Sequence, residues 1–426
     1  MKVVFVNRFF YPDHSATSQM LSDVVFQLAE DGVSCTVITS RLRYDDPTAE
    51  LKPMETIKGV RVVRVWTSRF GRNRLAGRLF DYLSFYVTAA WSMLTELRSG
   101  DCLVVKTDPP MLSVIAAPIA WVRQVRLINW LQDVFPEVAE RLADRRSGVL
   151  SRVIFGGLRR LRNWSLRRAS INVVLGKRMA SFLREQGISD DRMRIIPNWS
   201  DGRRIQPVPR ADNRLRHEWD LTSAFVVGYS GNLGRAHDIA TMVDAIKRTQ
   251  MEDGAARAGD DADVLAETPV KWVFIGGGAS MSALKREVET AGLRHVQFHP
   301  YQPREVMSES LSVADVHLVS LRPALEGLIV PSKSYGIAAA GRPILFIGNA
   351  DGEIGQLVRE ADIGRCVREG DGAALGAAIL EMAKDTQWVT EAGIRARRVF
   401  EEQFDFPTAV AAWHDVLQTR SQCLSD

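Results

Sequence analysis

Short, almost unbroken apolar runs alternate with helical stretches along the whole chain, and that alternation limits the fold more than any other feature of its 426 residues. In the first half, Val3–Val6, Cys35–Thr39, Val60–Val65, Cys102–Lys106, Arg126–Leu131 and Ile171–Leu175 read as strands. Each is near-continuously apolar, as strands covered on both faces are. Helical patterns over Ser18–Glu30, Leu75–Leu97, Met111–Arg123, Val149–Arg168 and Arg178–Gln186 separate most of them. Strand–helix alternation implies right-handed crossovers and a parallel, doubly wound sheet. The pattern then restarts with strands at Ala224–Tyr229, Val270–Ile275, Val296–His299, Val316–Leu318, Ile344–Ile347 and Arg365–Val367. Asp201–Pro209, carrying Gly202, Pro207 and Pro209, reads as a linker. The expected fold is α/β, with two Rossmann-like doubly wound domains over 1–205 and 206–405 and a C-terminal helix, 406–426, packing back on the first. Open α/β sheets bind ligands beyond the carboxyl ends of their strands. Two such domains facing each other place the expected site in the cleft between them.

Composition narrows the class. With 46% hydrophobic and 25% charged residues, the chain is an ordinary globular protein, not a disordered one. Its 55 basic and 51 acidic residues are too evenly balanced for a whole-protein nucleic-acid binder. Cys35, Cys102, Cys366 and Cys423 lie far apart with no CxxC, against zinc or a disulfide framework and in favour of a reducing cytosol. A strand begins at Lys2, so no signal peptide is expected. The longest nearly apolar stretch, Pro109 to Val122, contains Pro118 and falls short of the roughly twenty residues a spanning helix needs. It reads as a helix buried behind a sheet. The acidic Met251–Thr268 segment lacks regular ligand spacing and reads as a solvated surface insertion, not a metal site.

Several segments could carry chemistry. In Tyr229-Ser-Gly-Asn-Leu-Gly-Arg-Ala-His-Asp238 a strand ends, Gly231, Asn232 and Gly234 turn the chain, and a helix begins near Asp238. Backbone freed of side chains beside a helix start suits a phosphate, and Arg235 and His237 add donors; a plain strand-to-helix turn is the alternative. Pro331 and Ser332, preceded by Glu326 and Val330, open a helix of small residues closed by Gly341 and Pro343. Lys333 in its first turn opposes the helix dipole, which makes sense if an anion shares that helix end; an inconsequential exposed lysine is the alternative. Phe274-Ile-Gly-Gly-Gly-Ala-Ser280 offers Gly276 and Gly278, but Met281 stands at the third glycine position, so it fits a tight turn beside a nucleotide better than a nicotinamide site. A polar loop, Asn7 to Ser18, follows the first strand, and Asp133 ends another strand of that domain, as a ligand group or an N-cap. Glu140–Arg178 sets eleven basic residues against Glu140 and Asp144 with an apolar stripe between, and Arg69–Trp91 repeats the mixture. Nucleic acid would call for several exposed stacking aromatics, of which only Trp164 is available. An amphipathic basic helix fits a membrane surface, and ordinary core helices with solvated arginines are the alternative.

Taken together these residues resemble a known family, the bacterial family-four retaining glycosyltransferases of GT-B fold. FFYPDHSATSQMLSDVVFQLAEDGVSCTVIT, LQDVFPE, IIPNWSD, GYSGNLGRAHDI, FIGGGASMSALKREV, VQFHPYQPREVMSESLSVADVHLVSL and VPSKSYGIAAAGRPIL all match in order, over nearly the whole chain. The chain is most similar to the subgroup that builds exopolysaccharide, capsule or O-antigen repeats.

The resemblance implies a nucleotide-sugar donor, most often a UDP-sugar, a lipid-linked or saccharide acceptor, and no cofactor, metal or nucleic acid. It implies an acceptor-binding first domain, with Ser15, Ala16, Thr17 and Ser18 bordering donor phosphates and Asp133 near the donor sugar. In the second domain the glycine turn at Gly231–Gly234 meets the diphosphate, and Tyr301 and Gln302 fall beside the base. The family's glutamate pair aligns with Leu328 and Gly336, neither acidic, leaving Glu326 or Glu353 as substitutes. Its arginine and lysine of the phosphate turn fall on Asn232 and His237, so Arg235 and Lys333 are expected to neutralise the charge. A cytoplasmic enzyme, peripheral on the inner membrane face, follows. A sugar-nucleotide epimerase of the same fold and a non-catalytic nucleotide-sugar-binding subunit are the alternatives.

Overall fold

Two sheets organise the chain, one parallel throughout and the other parallel except for one edge strand, each winding outward in both directions from its first strand. The computed structural model describes residues 1–44, 46, 48–49, 51–71, 75–143, 149–258 and 269–419. One compact unit comprises Met1–Pro197, Gly327–Ile329 and the chain from Ala409, and the other comprises Asn198–Glu326 and Val330–Thr408.

The first unit holds strands β1 (Lys2–Val6), β2 (Ser34–Ser40), β3 (Met54–Ile57), β4 (Val60–Val65), β5 (Cys102–Lys106), β6 (Arg126–Trp130), β7 (Ile171–Val174) and β8 (Met193–Ile195). Their order is β3-β4-β2-β1-β5-β6-β7-β8. Helices α1 (Ala16–Glu30), α2 (Leu75–Glu96), α3 (Leu112–Arg123), α4 (Glu137–Leu142), α5 (Val149–Arg168) and α6 (Lys177–Glu185) connect them. Val4, Val6, Leu103 and Val105 pack against Phe85, Ala89 and Met93 of α2 and Ala116 and Ala120 of α3. Two strands were not expected. β3 is an antiparallel edge closed on β4 through Lys58 and Gly59, both at positive φ, a two-residue turn that usually carries Asn-Gly. β8 has three residues, too few to show as an apolar run. α3 does cover the sheet, but its end departs from the buried helix expected, because Trp121 and Val122 are exposed.

The second unit holds β9 (Phe225–Asn232), β10 (Val270–Gly277), β11 (Val296–His299), β12 (Val316–Ser320), β13 (Ile344–Ile347) and β14 (Gly364–Val367) in the order β11-β10-β9-β12-β13-β14. This is the third-second-first-fourth-fifth-sixth winding whose topological switch point lies between the first and fourth strands, here β9 and β12. Helices α7 (Arg214–Glu218), α8 (Ile239–Ala258), α9 (Met281–Thr290), α10 (Met307–Ser312), α11 (Lys333–Ala339), α12 (Glu353–Glu360), α13 (Gly372–Lys384) and α14 (Thr386–Gln403) complete it. α8 runs to Ala258, so Met251–Ala258 is helix rather than inserted loop; the rest of that acidic segment, 259–268, lies outside the described residues, as do 72–74 and 144–148 of the basic stretches. The expected linker is tied into this unit, with Gln206 N donating to Ser308 Oγ at 3.0 Å and Val208 N to Ser312 Oγ at 3.1 Å.

The last helix, α15 (Phe406–Gln418), enters the first unit from Ala409 on. There Trp413 packs against Trp130 with ring centroids 4.5 Å apart, and the Arg126 guanidinium donates to the carbonyls of Val416 and Leu417 at 2.6 and 3.0 Å.

At the amino ends of the second sheet, the buried Arg216 guanidinium donates both its terminal nitrogens to the Asp315 carboxylate, at 2.9 and 3.1 Å, and Asp315 also accepts from Val226 N at 2.7 Å. Removing one partner of a buried pair leaves an uncompensated charge. Asp315→Ala is therefore expected to destabilise the protein by about 3–5 kcal/mol, read from urea unfolding.

Candidate functional site

In the second unit β9 and β10 stay paired through Gly231↔Gly276 and Asn232↔Gly277. Gly231 and Asn232, expected in a turn, thus still belong to the strand. Gly231, Gly276 and Gly278 have φ of 121°, 123° and 124°. A Cβ at 276 would strike the Gly231 carbonyl, one at 278 would strike the Asn232 side chain, and one at 231 would lie 2.8 Å from Lys333 Cε. Gly234 differs, because a Cβ there would meet nothing nearer than 3.9 Å. The two loops that leave these strands are stitched together, Leu233 N donating to Gly277 O at 2.7 Å and Ser280 N to Leu233 O at 2.9 Å.

Lys333, in the first turn of α11, sends its side chain across Gly231. Its ammonium donates to Tyr229 Oη and, at 2.8 Å, to Asn232 O, and lies 3.4 Å from His237 Nε2. The His237 tautomer follows from its other nitrogen: Nδ1 donates to Ser320 O at 2.7 Å, which leaves the Nε2 lone pair facing the lysine. Burial pushes Lys333 down to about 7. Burial, and then the neighbouring Lys333, push His237 down to about 4. Among the described residues no carboxylate holds this lysine; three neutral acceptors do.

Around it stand further groups. Arg235 is exposed and makes no hydrogen bond or ion pair with any described residue. Arg322, which the sequence reading missed, follows β12 at the switch point, where its backbone N donates to Ala236 O at 3.0 Å and its guanidinium lies 3.8 Å from Glu369. A basic residue just beyond a strand end next to the first strand was the available signal. The exposed Tyr301 ring lies against Gly276 and Gly277, 3.1 and 3.3 Å from where their Cβ atoms would be. Gln302 donates to Pro300 O at 3.0 Å. Pro331 O accepts from the Ser334 hydroxyl at 2.8 Å, and Val330 and Ser332 lie on either side of that proline, Ser332 exposed. The Glu326 carboxylate accepts from Glu353 N at 2.8 Å and so caps α12. Gly336 points at Leu311, Ser200 and Ile205, and Leu328 is buried.

In the first unit Ser15–Ser18 open α1 beyond the end of β1. Ser15 N donates to Asp13 Oδ1 at 2.7 Å, and Ser18, fully buried, gives its hydroxyl to Asp13 O at 3.2 Å. Ala16 and Thr17 are the more open pair. Asp133 follows β6 and pairs with Ile329 in an isolated antiparallel bridge.

Comparison with known proteins bears directly on this geometry. Residues 16–199 match the model of the glycosyl transferase 4-like domain. Over 323 residues the chain is 27% identical to the probable glycosyltransferase WbjE of Pseudomonas aeruginosa, covering 74% of each. It is 29% identical over 175 residues to the putative colanic acid biosynthesis glycosyl transferase WcaI of Escherichia coli, covering 41% of this chain and 39% of that one. The fold aligns with Anabaena HepE in complex with UDP-glucose at a TM-score of 0.68, with 16% identity, covering 98% of this chain and 99% of that one. The chain is a glycosyltransferase of the GT-B type.

In this glycosyltransferase Asp133 is unusual among the site carboxylates. It borders a cavity of about 30 Å³ with Lys106, Thr107 and Asn129. Its Oδ1 is buried without a hydrogen-bond partner. Burial pushes its carboxyl up to about 6, against a Thr107 hydrogen bond that lowers it, and Asp108 adds to the rise. The folded state then binds a proton that the unfolded chain releases near pH 4, so this group costs stability increasingly as pH rises through about 4 to 6. Asp133→Asn is expected to raise the unfolding temperature of the glycosyltransferase at about pH 8, by a gain of up to about 3 kcal/mol, and not at about pH 4.

Proposed function

We propose that this glycosyltransferase moves a sugar from a nucleoside diphosphate donor, a UDP-sugar, to a lipid-linked or saccharide acceptor with retention at the anomeric carbon, in bacterial surface polysaccharide synthesis on the cytoplasmic face of the cell membrane. One observation carries the donor half: side-chain-free backbone at Gly231, Gly276 and Gly278 meets Lys333 beside the switch point of the second sheet, with Arg235 and Arg322 on the adjoining loops. Anions bind where backbone can approach and fixed positive charge waits. HepE was solved with UDP-glucose, and WcaI is named for colanic acid biosynthesis, which supports the donor and the pathway class.

The chemistry follows from the leaving group. As the glycosidic bond breaks, negative charge grows on the diphosphate, and preorganised cations stabilise it without reorganising. Arg235 supplies an exposed guanidinium, while Lys333, already held by Tyr229, Asn232 and His237, supplies a fixed position for an ammonium that the diphosphate keeps protonated. The Tyr301 ring offers a stacking surface to the base, and Asp133 and the α1 opening, Ser15–Ser18, are assigned to the sugar and acceptor side. Transfer is assigned as metal-independent, with these cations carrying the charge of the leaving diphosphate.

Arg235→Ala and Lys333→Ala are each expected to weaken UDP binding at least about tenfold, the effect of losing a charge-assisted contact. Unchanged affinity in both would remove the donor from this site. Because Lys333 titrates near 7 in the empty site and a diphosphate favours its ammonium form, binding above that pH takes up a proton. Affinity should therefore fall as pH rises from about 7, and calorimetry in buffers of different ionisation enthalpy would show the uptake in the wild type but not in Lys333→Ala. Sugar transfer should survive a chelator. A strict, reversible requirement for magnesium or manganese would contradict the cation-only mechanism, and a donor isomerised without acceptor would mark an epimerase.

A further inference from the structure

The large hydrophobic side chains that remain exposed are distributed very unevenly. Among the described residues, all of them except Tyr301 and Ile394 belong to the first unit. They concentrate on three neighbouring helices, α2, α3 and α5, with α3 touching both others. On α2, Leu79, Phe80, Leu83, Val87 and Trp91 form one stripe about 18 Å long at 1.5 Å per residue. Val87 and Trp91 are each 70% exposed, while Phe85, Ala89 and Met93 on the other side are buried. A helix apolar on both sides is normally covered on both. α3 adds Trp121 and Val122, and α5 adds Val153, Ile154 and Leu161.

The charge on the same helices has one sign. Their only acidic residues are Asp81 and Glu96. Both are spent inward. Asp81 accepts from Ser68 Oγ at 2.6 Å and from the backbone of Phe70 and Gly71, and lies 3.5 Å from the buried Arg8. Glu96 is bound at 2.9 Å by both terminal nitrogens of Arg61. Along α5 a groove of about 840 Å³ is lined by Arg152, Gly156, Arg159, Arg160 and Asn163, with no carboxylate among the described residues of its wall. Arg159 pairs with Glu140 at 3.4 Å, whereas Arg152 and Arg160 have no hydrogen bond or ion pair with any described residue. A Cβ on Gly156 or Gly157 would meet nothing within 4 Å.

We propose that the outward side of α2, α3 and α5 docks on a bilayer containing anionic phospholipid, with the arginine groove of α5 taking the headgroup phosphate and the α2 stripe entering the acyl boundary. The combination selects the occupant. A free phosphate would use the groove but leaves the stripe unexplained. A second copy of this chain would bring arginines against arginines with no carboxylate between them. An anionic bilayer offers negative headgroups and an apolar layer side by side, with tryptophans at the boundary between them. The inference deepens the proposed function, resting on its membrane-side placement, but its test needs no sugar transfer.

Co-sedimentation of the full chain with phosphatidylcholine vesicles, with and without phosphatidylglycerol, reads it directly. Strong binding is expected only with phosphatidylglycerol, weakening with salt as attraction decays within a Debye length of about 8 Å but leaving a salt-resistant remainder. Arg152→Gln with Arg160→Gln should lower binding to the anionic vesicles by roughly tenfold or more, at about 1 kcal/mol for each arginine. Leu83→Ser with Val87→Ser and Trp91→Ser should remove the salt-resistant part, and because all three are surface positions the unfolding temperature should hold. Equal, negligible binding of the wild type to both vesicles would overturn the proposal, as would undiminished binding of the arginine variant. Occupation of the groove by inorganic phosphate without vesicle binding would assign it to a free anion, and concentration-dependent dimerisation through these helices would assign the face to a second copy; either overturns the lipid. UDP affinity measured on the same preparations keeps the two readings apart: vesicle binding without UDP binding counts against the donor site alone, and the reverse counts against this face alone.

Discussion

The backbones of β9 and β10 touch at their carboxyl ends, and the candidate donor site depends on that contact. At 276 a side chain would strike the Gly231 carbonyl, so the parallel pairing can run on to Gly277 only because 276 is glycine. The absence of a Cβ at 231 then leaves a channel for the Lys333 stem, whose ammonium reaches Asn232 O and Tyr229 Oη. Tyr301 in turn covers the two bare peptide units at 276 and 277. A methyl group at 276 would part the strands, and one at 231 would displace the lysine. Packing, not a counter-ion, places the charge, and a cation without a counter-ion is the one that an incoming anion can use.

How much of this could be read in advance depends on whether the information is local. The parallel strands were legible because burial on both faces leaves an unbroken apolar run, while β3 and β8 were not, being an alternating edge strand and a three-residue edge. Gly231, Gly276, Gly278 and Lys333 were legible as local anomalies: glycines at a strand end, and a base in the first turn of a helix. Gly234 looked equivalent, yet the space around it is open. Arg322 left only a weak signal, a base just beyond a strand end, while the Ser320 carbonyl and the Tyr229 hydroxyl were out of reach, since their meaning comes from β9 lying beside β12, a pairing between segments far apart in the chain. The glutamate expected at 326 was visible as a residue but not in its role; only the fold shows its carboxylate turned to the start of α12.

Burial shifts Lys333 and Asp133 in opposite charge directions. Lys333 is driven toward its neutral amine and Asp133 toward its neutral acid, each by desolvation. In both cases the empty protein holds a group whose charged form is poorly solvated, an arrangement that structure alone would not favour and that clusters at functional sites. The remedies differ. For Lys333 a dianionic ligand would restore the charge directly. For Asp133 the nearest help is the Thr107 hydroxyl, and Asp108 works against it, so its carboxyl stays easy to protonate.

The two units share a winding order but not a surface. Both place their switch point beside the first strand of the sheet, β1 next to β5 and β9 next to β12. In the second unit the outer helix α14 answers its basic residues with acids one turn away, Arg397 with Glu401 and Arg395 with Glu391, as helices facing plain water commonly do. In the first, α2, α3 and α5 present leucine, valine and tryptophan, Asp81 and Glu96 are spent on other partners, and Arg152 and Arg160 pair with no acid among the described residues. Covering a parallel sheet requires only the inner side of each helix, so topology leaves the outer side free to vary. An outer side that stays apolar and positive on three adjacent helices gains nothing in water, and that mismatch is the reason for proposing a bilayer, apolar and negative, as what covers it.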